Sequence, residues 1–190
     1  MRVRGLVQER AHASAGRVTN PIVPLARAFA RHSVKYVLIG VSGANFYAPA
    51  GQAAFVTRDY DLFLPPDEEN PISAWGACED AGMDVWLGNE PLDRPRDRWL
   101  AERIIVQRIL TRVSGPGDLA VDLSLIMKGF DFETVWKERR LFVVDDVEIP
   151  TARLIHIIIS KQAAGRDKDR LFLATHRDAL EQLLKKHEQR

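Results

Sequence analysis

Two aspartates separated by one residue lie in the segment 57–62, which reads Thr57-Arg58-Asp59-Tyr60-Asp61-Leu62. The run 59–64 predicts a β-strand, which Pro65-Pro66 stops. Because side chains alternate across a strand, both carboxylates are expected on one face, roughly 7 Å apart. Half-burying two like charges is costly, and a divalent cation between them removes that cost. Taken alone, such a pair at a strand end is more often an exposed edge or a turn cap.

A third carboxylate lies in another predicted strand, 119–126, where Asp122 is the sole charged residue. A lone charged side chain in an apolar strand is seldom there for packing. Three carboxylates on neighbouring strands are expected to hold two Mg²⁺ ions roughly 4 Å apart, with Mn²⁺ as the alternative ion. This two-metal geometry stabilises the attacking and leaving oxygens in phosphoryl transfer.

A small-residue turn precedes the aspartate pair in the chain. The predicted strand 36–39 runs into Gly40-Val41-Ser42-Gly43 and then into a brief helix that ends near Pro49. Small residues at such a turn bring backbone N–H groups and the Ser42 hydroxyl close to a phosphate. The order of strand, small-residue turn, paired aspartates and a later strand aspartate is more specific than any one of these features.

In these features the chain resembles the polymerase-β-like nucleotidyltransferase superfamily, particularly its minimal and abortive-infection-toxin-like bacterial branches. The matching segments lie within residues 34–175 and comprise 37–43, 57–62, 121–123 and 160–169. The resemblance implies that Asp59 and Asp61 are metal ligands, and that Asp122 is the third carboxylate and helps to deprotonate the acceptor hydroxyl. It also implies a set of nucleotide-binding residues: Gly40, Ser42, Gly43, Arg58, Lys161, Arg166 and Lys168.

The chain departs from the superfamily pattern at two places. Val41 stands where relatives carry a second small residue, and residues 52–56 contain no arginine, although Arg58 lies between Thr57 and Asp59. Lys161 lies near the end of a predicted helix, where the helix dipole favours a cation, so capping is the alternative to phosphate binding. Asp169 is expected to orient its Lys and Arg neighbours rather than to bind metal.

The remaining patterns predict an α+β fold in which a mixed sheet is followed by helices. Residues 1–150 are expected to form the nucleotidyltransferase-like core, with 1–19 as a loose arm, and 151–190 a helical segment that completes the cleft. Further strands are predicted over 83–87, 103–113, 141–144 and 147–149, with 114–118 as a hairpin turn. Helices are predicted from Asn20, Asn70, Asp131 and Thr151 as caps, and over 167–174 and 176–188.

Composition limits the class of protein. The chain has 190 residues, of which 46% are hydrophobic and 28% charged, as in a folded water-soluble protein. The longest apolar run, 154–159, is too short to cross a bilayer, so no membrane partner is expected. A charged N-terminus and the single Cys78 favour the cytoplasm. The net charge is +5 over 1–31, −8 over 32–150 and +4 over 151–190. An acidic middle between basic ends suits a protein that binds metal ions centrally and an anionic substrate at the periphery. The alternative is that these charges only form solvated faces.

The expected activity is transfer of a nucleoside monophosphate from ATP or another NTP to a hydroxyl acceptor, with release of pyrophosphate. The acceptor is a small molecule, a protein or an RNA 3′ end. One alternative is a non-catalytic nucleotide-binding or RNA-binding member of the fold with an antitoxin-like regulatory role, and another is a plain binding domain. The loop 88–98 with Trp99 is the predicted substrate-contacting surface. His156 and Cys78 are expected in the core, and no zinc site is expected.

Overall fold

The computed structural model describes residues 8–10, 20–49 and 54–188. The helices are α1 Val23–Arg31, α2 Gly40–Asn45, α3 Glu69–Asp80, α4 Arg98–Gln107, α5 Phe132–Glu138, α6 Leu154–Ala164, α7 Asp167–Thr175 and α8 Arg177–Glu188. The strands are β1 Gln8–Arg10, β2 Val37–Ile39, β3 Asp59–Phe63, β4 Asp84–Leu87, β5 Glu90–Pro91, β6 Thr111–Gly115, β7 Leu119–Ser124, β8 Arg140–Val144 and β9 Val147–Thr151. No helix within 20–49 or 54–188 is both long and apolar enough to cross a membrane.

The described strands form one mixed sheet in the order β1-β8-β9-β2-β3-β7-β6-β4-β5. At its centre β3 runs antiparallel to β2 and parallel to β7. The hairpins β6-β7 and β8-β9 are antiparallel. The sheet and its flanking helices confirm the predicted α+β class. The predicted division of the chain after residue 150 falls inside β9.

One face of the sheet packs against helices α1 and α3. Its buried side chains include Phe29, Leu38, Leu62, Trp75 and Val121, which belong to a single apolar cluster. Alternate residues of β3 and β7 point to this face because the side-chain period of a strand is two. It is therefore an apolar face with no room for a polar site.

The other face is covered only in part. Side chains of β2, β3 and β8 pack there against α5, α6 and α8, through residues such as Phe63, Phe132, Ile157 and Leu180. Over β7, β6 and β4 the residues on this face include Asp122, Arg112, Ser114 and Trp86, and none of these four belongs to an apolar cluster. We call this uncovered part the open face. The aspartates of β3 lie where the helix-covered part ends and the open face begins.

Most of the predicted elements are confirmed to within a few residues, including the hairpin around 114–118 and the strands on either side of 145–146. Asp131 caps α5 as predicted, because its carboxylate accepts a hydrogen bond from the Thr134 N–H at 2.8 Å. Gly165 ends α6 in the left-handed conformation, with φ of 61°. Of the predicted loose arm 1–19, only 8–10 are described, and they form edge strand β1, parallel to β8. The rest of the arm lies outside the described residues.

The predicted strand over 103–113 is wrong, because α4 occupies most of this segment and β6 begins only at Thr111. The β-branched run 104–106 favours a strand locally, but Ala101 and Ile104 are buried on one side of a helix that contacts α3. Asp97 caps this helix, and Arg108 ends it with a positive φ of 51°. Tertiary packing and a local cap therefore override the β propensity.

Three predicted caps are also wrong. Ile22 and not Asn20 is the N-cap of α1, and the Ile22 N–H donates to the Asn20 side chain at 3.2 Å. The Asn70 side chain accepts from the Lys35 N–H and donates to the Lys35 carbonyl, so it ties α3 to the start of β2, while Asp67 accepts from the Asn70 N–H. Thr151 is the last residue of β9, and its hydroxyl donates to the Ile149 carbonyl. Asn70 and Thr151 are both buried, and neither bonds to a helix end, since Asn70 bonds to the backbone of Lys35, 35 residues away in the chain, and Thr151 to that of Ile149 in its own strand.

Removing the cap of α4 is expected to destabilise the fold. In Asp97→Ala the Leu100 N–H loses its acceptor at 3.1 Å, and we expect the free energy of unfolding to fall by about 1 kcal/mol. Urea unfolding followed by circular dichroism measures the change. Asp93→Ala is the matched control, because Asp93 is exposed and makes no hydrogen bond with a described residue. Equal losses in the two variants would contradict the assigned cap.

Candidate functional site

The three predicted carboxylates lie on the same face of the sheet. In the parallel pairing of β3 with β7, Asp61 is the register partner of Asp122 and Asp59 that of Ala120. Register partners on adjacent strands are about 4.8 Å apart and point to the same side, and Asp59 joins them because it lies two residues before Asp61. Three carboxylates from two segments of the chain thus lie on one face of the sheet, with Asp61 beside Asp122.

Asp61 is the most perturbed of the three. Its side chain is half-buried and accepts no hydrogen bond from any residue of the described ranges. Its pKa is raised to about 6, mainly by burial and next by the charge of Asp122, with a smaller contribution from Asp59, while Lys161 and Lys168 act in the opposite direction. A half-buried carboxylate without a hydrogen-bond donor is destabilised in its charged form, which is the form that a cation would stabilise.

Gly40 makes room for the Asp61 carboxylate. It follows β2 directly and has a φ of +69°, a conformation that other residues rarely adopt. A Cβ atom built on Gly40 would lie 2.1 Å from Oδ2 of Asp61. Only glycine therefore lets the carboxylate pack against the backbone at the start of α2.

Arg112 holds the third carboxylate. Its Nε donates to Oδ1 of Asp122 at 2.7 Å and its Nη2 donates to Oδ2 at 3.1 Å. Arg112 is the register partner of Asp122 on β6, so the guanidinium reaches Asp122 from the side opposite β3. The hydrogen bond and charge of Asp122 raise the pKa of Arg112, which keeps the pair ionised. Arg112 is a site residue that the sequence did not predict, because the predicted turn 114–118 pairs residue 112 with 120, whereas the observed turn lies between Gly115 and Leu119 and pairs Arg112 with Asp122.

Two lysines from the C-terminal helices interact electrostatically with Asp61. Lys161 lies in the last turn of α6, and Lys168 in the first turn of α7. Both are near enough to lower the pKa of Asp61. Lys168 is exposed and makes no hydrogen bond or ion pair with a described residue. The site thus has a negative floor on the sheet and a positive wall on the helices.

Asp169 orients the positive wall, as predicted. It is only 1% exposed and accepts from Lys161 Nζ at 3.0 Å and from Arg166 Nε at 2.6 Å. Lys161 also lies over the Phe172 ring, 4.9 Å from its centroid. Lys161 therefore joins α6 to α7 through a buried ion pair instead of only capping α6.

Ser42, Gly43 and Arg58, the other predicted nucleotide-binding residues, make no hydrogen bond or ion pair with the three aspartates. Ser42 is 3% exposed, and its hydroxyl donates to the Ile39 carbonyl at 3.3 Å. A Cβ on Gly43 would lie 3.1 Å from both Ile157 and the Leu38 carbonyl, so this glycine allows close packing of α2. Arg58 is exposed and has no partner within the described residues. Their predicted roles at a phosphate stay predictions.

The predicted substrate-contacting loop carries arginines that are already ion-paired. Arg94 and Arg96 both bond to Glu79, and Arg98 bonds to Glu68. Trp99 is 62% exposed, with the Arg103 guanidinium 4.8 Å from its ring centroid. The aromatic ring is accessible, but the charge of the loop is largely neutralised.

The two residues expected in the core are found there. His156 is 6% exposed and packs against the Phe130 ring, and burial lowers its pKa. Cys78 is fully buried, and burial raises the pKa of its thiol to about 12. Neither has the accessibility that a reactive side chain needs.

The donor atoms of the site suit a hard divalent cation, because Mg²⁺ prefers carboxylate oxygens. Within the described part of the chain, however, no three His, Cys, Asp or Glu side chains are grouped closely enough to hold a metal ion. The Arg112 fork gives a physical reason, since it engages both oxygens of Asp122. For Asp61 and Asp122 to share an ion, Asp122 must first leave Arg112.

No protein-family model and no curated protein matches the chain. The case for an activity therefore depends on the site itself, with its carboxylates on two neighbouring strands, its glycine at Asp61 and its two lysines on the facing helices.

Neutralising Asp61 is expected to stabilise the metal-free protein. With the pKa of Asp61 raised to about 6 from an unfolded value of about 3.9, the folded chain binds the proton more tightly. Protonation of Asp61 therefore stabilises the fold. This contribution is fully present below about pH 4 and is lost as the pH rises through about 6. In EDTA at pH 7.5 we expect Asp61→Asn to raise the midpoint of thermal unfolding, Tm, by roughly 5 °C.

The pH dependence supplies the check. The gain of Asp61→Asn should shrink as the pH is lowered towards 4.5, because the wild-type carboxyl is then mostly protonated in the folded state. Asp59→Asn is the control, since Asp59 is exposed, and a small change is expected. A gain that is equal at both pH values would refute the assigned perturbation of Asp61.

Filling the space at Gly40 should disturb Asp61. Gly40 and Gly82 share a φ of +69°, but nothing lies within 4 Å of a Cβ on Gly82. Both alanine variants bear the backbone strain, and only Gly40→Ala adds the clash, so we expect it to lose at least about 1 kcal/mol more stability than Gly82→Ala. Chemical unfolding measures both. Adding Asp61→Ala should remove the extra loss, and persistence of that loss in the double variant would place its cause elsewhere.

Proposed function

We propose that the protein is a divalent-metal-dependent nucleotidyltransferase that moves a nucleoside monophosphate from an NTP to a hydroxyl acceptor. The observation that carries the proposal is the register of β3 and β7, which sets Asp61 beside Asp122 on the face that also bears Asp59. Charged residues of one sign are brought together in a fold only where something compensates them. Among residues in the described ranges, Arg112 compensates Asp122, whereas Asp61 accepts no hydrogen bond.

The roles follow from the chemistry of each group. Asp59, Asp61 and Asp122 would hold Mg²⁺ or Mn²⁺ ions, which supply charge neutralisation at the triphosphate. Lys161 and Lys168, facing these carboxylates, attract the phosphates, and Asp169 keeps Lys161 in position. Positive groups placed in advance where phosphate charge develops are worth more in such a partly water-excluded site than in bulk water.

The bonds balance in the proposed transfer. The acceptor oxygen forms a bond to the α-phosphorus, the bond between the α-phosphorus and the bridging oxygen breaks, and pyrophosphate leaves. Asp122 first separates from the Arg112 guanidinium, and its carboxylate then receives the proton of the acceptor hydroxyl. The acceptor approaches over the open face beside Asp122, where Arg112 and Trp86 are register partners. A small molecule, a protein side chain or an RNA 3′ end would each find room on an uncovered sheet face.

The test is Mg²⁺-dependent consumption of NTP by the full chain, with pyrophosphate release as the readout. Asp61→Asn is expected to lose at least about 10²-fold in rate while remaining folded. Glu69→Gln, an exposed change on α3, which covers the apolar face of the sheet, should keep wild-type activity. Equal rates in wild type and Asp61→Asn would exclude the proposed catalysis. Incubation with α-labelled NTPs and cell extract then shows whether label enters RNA, protein or a small molecule.

A second candidate is a non-catalytic, nucleotide-binding or RNA-binding protein with an antitoxin-like regulatory role. The Arg112 fork on Asp122 favours it, because an arginine at both carboxylate oxygens takes the place of a metal ion. Calorimetric titration with ATP, with and without Mg²⁺, distinguishes the two. Binding without Mg²⁺-dependent turnover supports the second candidate, and absence of ATP binding contradicts the first candidate and the nucleotide-binding form of the second.

A further inference from the structure

A second concave site lies beyond the ends of β3 and β7, away from the three aspartates. It is a cavity of about 320 Å³ between the end of α4 and the loop 125–132. Its apolar lining includes three phenylalanines and three aliphatic side chains: Phe63, Ile105, Leu125, Ile126, Phe130 and Phe132. Neither Asp59, Asp61 nor Asp122 lines it. Its volume and apolar walls match those of sites for small organic ligands.

Two cations lie in the wall of this cavity. Arg108 contributes from the C-terminal end of α4, and Lys128 from the loop that follows β7. Both are exposed, and neither makes a hydrogen bond or ion pair with a residue of the described ranges. Elsewhere on this surface arginines find partners, as Arg94 and Arg98 do. Two unpaired cations beside an apolar cavity are complementary to an anion with an apolar body.

The third charged group of the wall is accounted for. The Asp131 carboxylate accepts from the Thr134 N–H at 2.8 Å and from the Thr134 hydroxyl at 2.9 Å, so it serves as the cap of α5. Arg108, Lys128 and Asp131 together give the lining of the cavity a net charge of +1. This balance suits a ligand with one negative charge.

The aromatic walls indicate the body of the ligand. Phe63 and Phe132 meet edge to face with ring centroids 5.4 Å apart, while Phe130 packs on His156 at 4.5 Å. Aromatic rings prefer such edge-to-face and offset contacts with other rings. Ile126 is 37% exposed, so an apolar surface at the entrance is available to a bound molecule.

We propose that this cavity binds a small aromatic monoanion, with the ring system between Phe63, Phe130 and Ile105 and the carboxylate or sulfonate between Arg108 and Lys128. The site is independent of the proposed nucleotidyl transfer, because it uses none of the aspartates or lysines assigned to that reaction.

The experiment compares two fluorescent probes of similar shape and different charge. 1-Anilinonaphthalene-8-sulfonate is an aromatic monoanion, and N-phenyl-1-naphthylamine is its neutral counterpart. The full chain is expected to bind the sulfonate saturably at one site per chain. The double variant Arg108→Gln/Lys128→Gln should bind the sulfonate on the order of tenfold more weakly, because at least one charge-assisted hydrogen bond is lost. Its affinity for the neutral probe should be unchanged.

Two control variants complete the design. Lys185→Gln/Lys186→Gln removes two exposed charges from α8, remote from the cavity lining, and should not change either affinity. Ile105→Trp fills the cavity and should weaken both probes. The proposal is overturned if the Arg108/Lys128 variant binds the sulfonate with wild-type affinity, or if its affinity for the neutral probe falls as much as its affinity for the sulfonate. It is also overturned if Ile105→Trp binds both probes with wild-type affinity. Thermal unfolding of each variant verifies folding, and the charge variants alone decide the outcome if Ile105→Trp does not fold.

Discussion

The parallel pairing of β3 with β7 is the constraint on which the site depends. It brings two segments, about sixty residues apart in the chain, into a register where Asp61 faces Asp122. A slip of one residue would turn Asp122 to the apolar face and Val121 to the site. The register is held by the apolar residues next to the aspartates in each strand, since Leu62, Val121 and Leu123 are buried against α1 and α3. The packing of one sheet face thereby determines the chemistry of the other.

Charge repulsion at the site opposes the stability that this packing provides. Asp61 is half-buried, lies beside Asp122 and has a raised pKa, and Gly40 adopts a conformation that admits its carboxylate. Arg112 and the lysines of α6 and α7 reduce the repulsion from two sides. Residues that weaken a fold in this way are retained in proteins mainly where function requires them. Such an arrangement indicates that these carboxylates have a functional role.

Local patterns were sufficient to predict β2, β3, β7, the two hairpins and the shared face of Asp59 and Asp61, because strand alternation and turn residues act within a few positions. They were insufficient at α4, where buried Ala101 and Ile104 outweigh a β-branched run. The predicted caps at Asn70 and Thr151 failed because each side chain bonds to other backbone groups, Asn70 to the distant Lys35 and Thr151 to Ile149 of its own strand. The contact of Arg112 with Asp122 could not be predicted, because the predicted turn 114–118 sets the hairpin register two residues away from the observed one.

By itself the sequence determined the α+β class, the strands that carry the aspartates and the periodicity that puts Asp59 and Asp61 on one face, since these depend on residues close together in the chain. Only the tertiary structure decided that Asp122 stands beside Asp61, that Arg112 engages it, that Ser42 is buried, and that Arg108 and Lys128 share a cavity. These relations join distant segments, and they follow from strand order and helix packing, which minimise exposed apolar area over the whole chain at once.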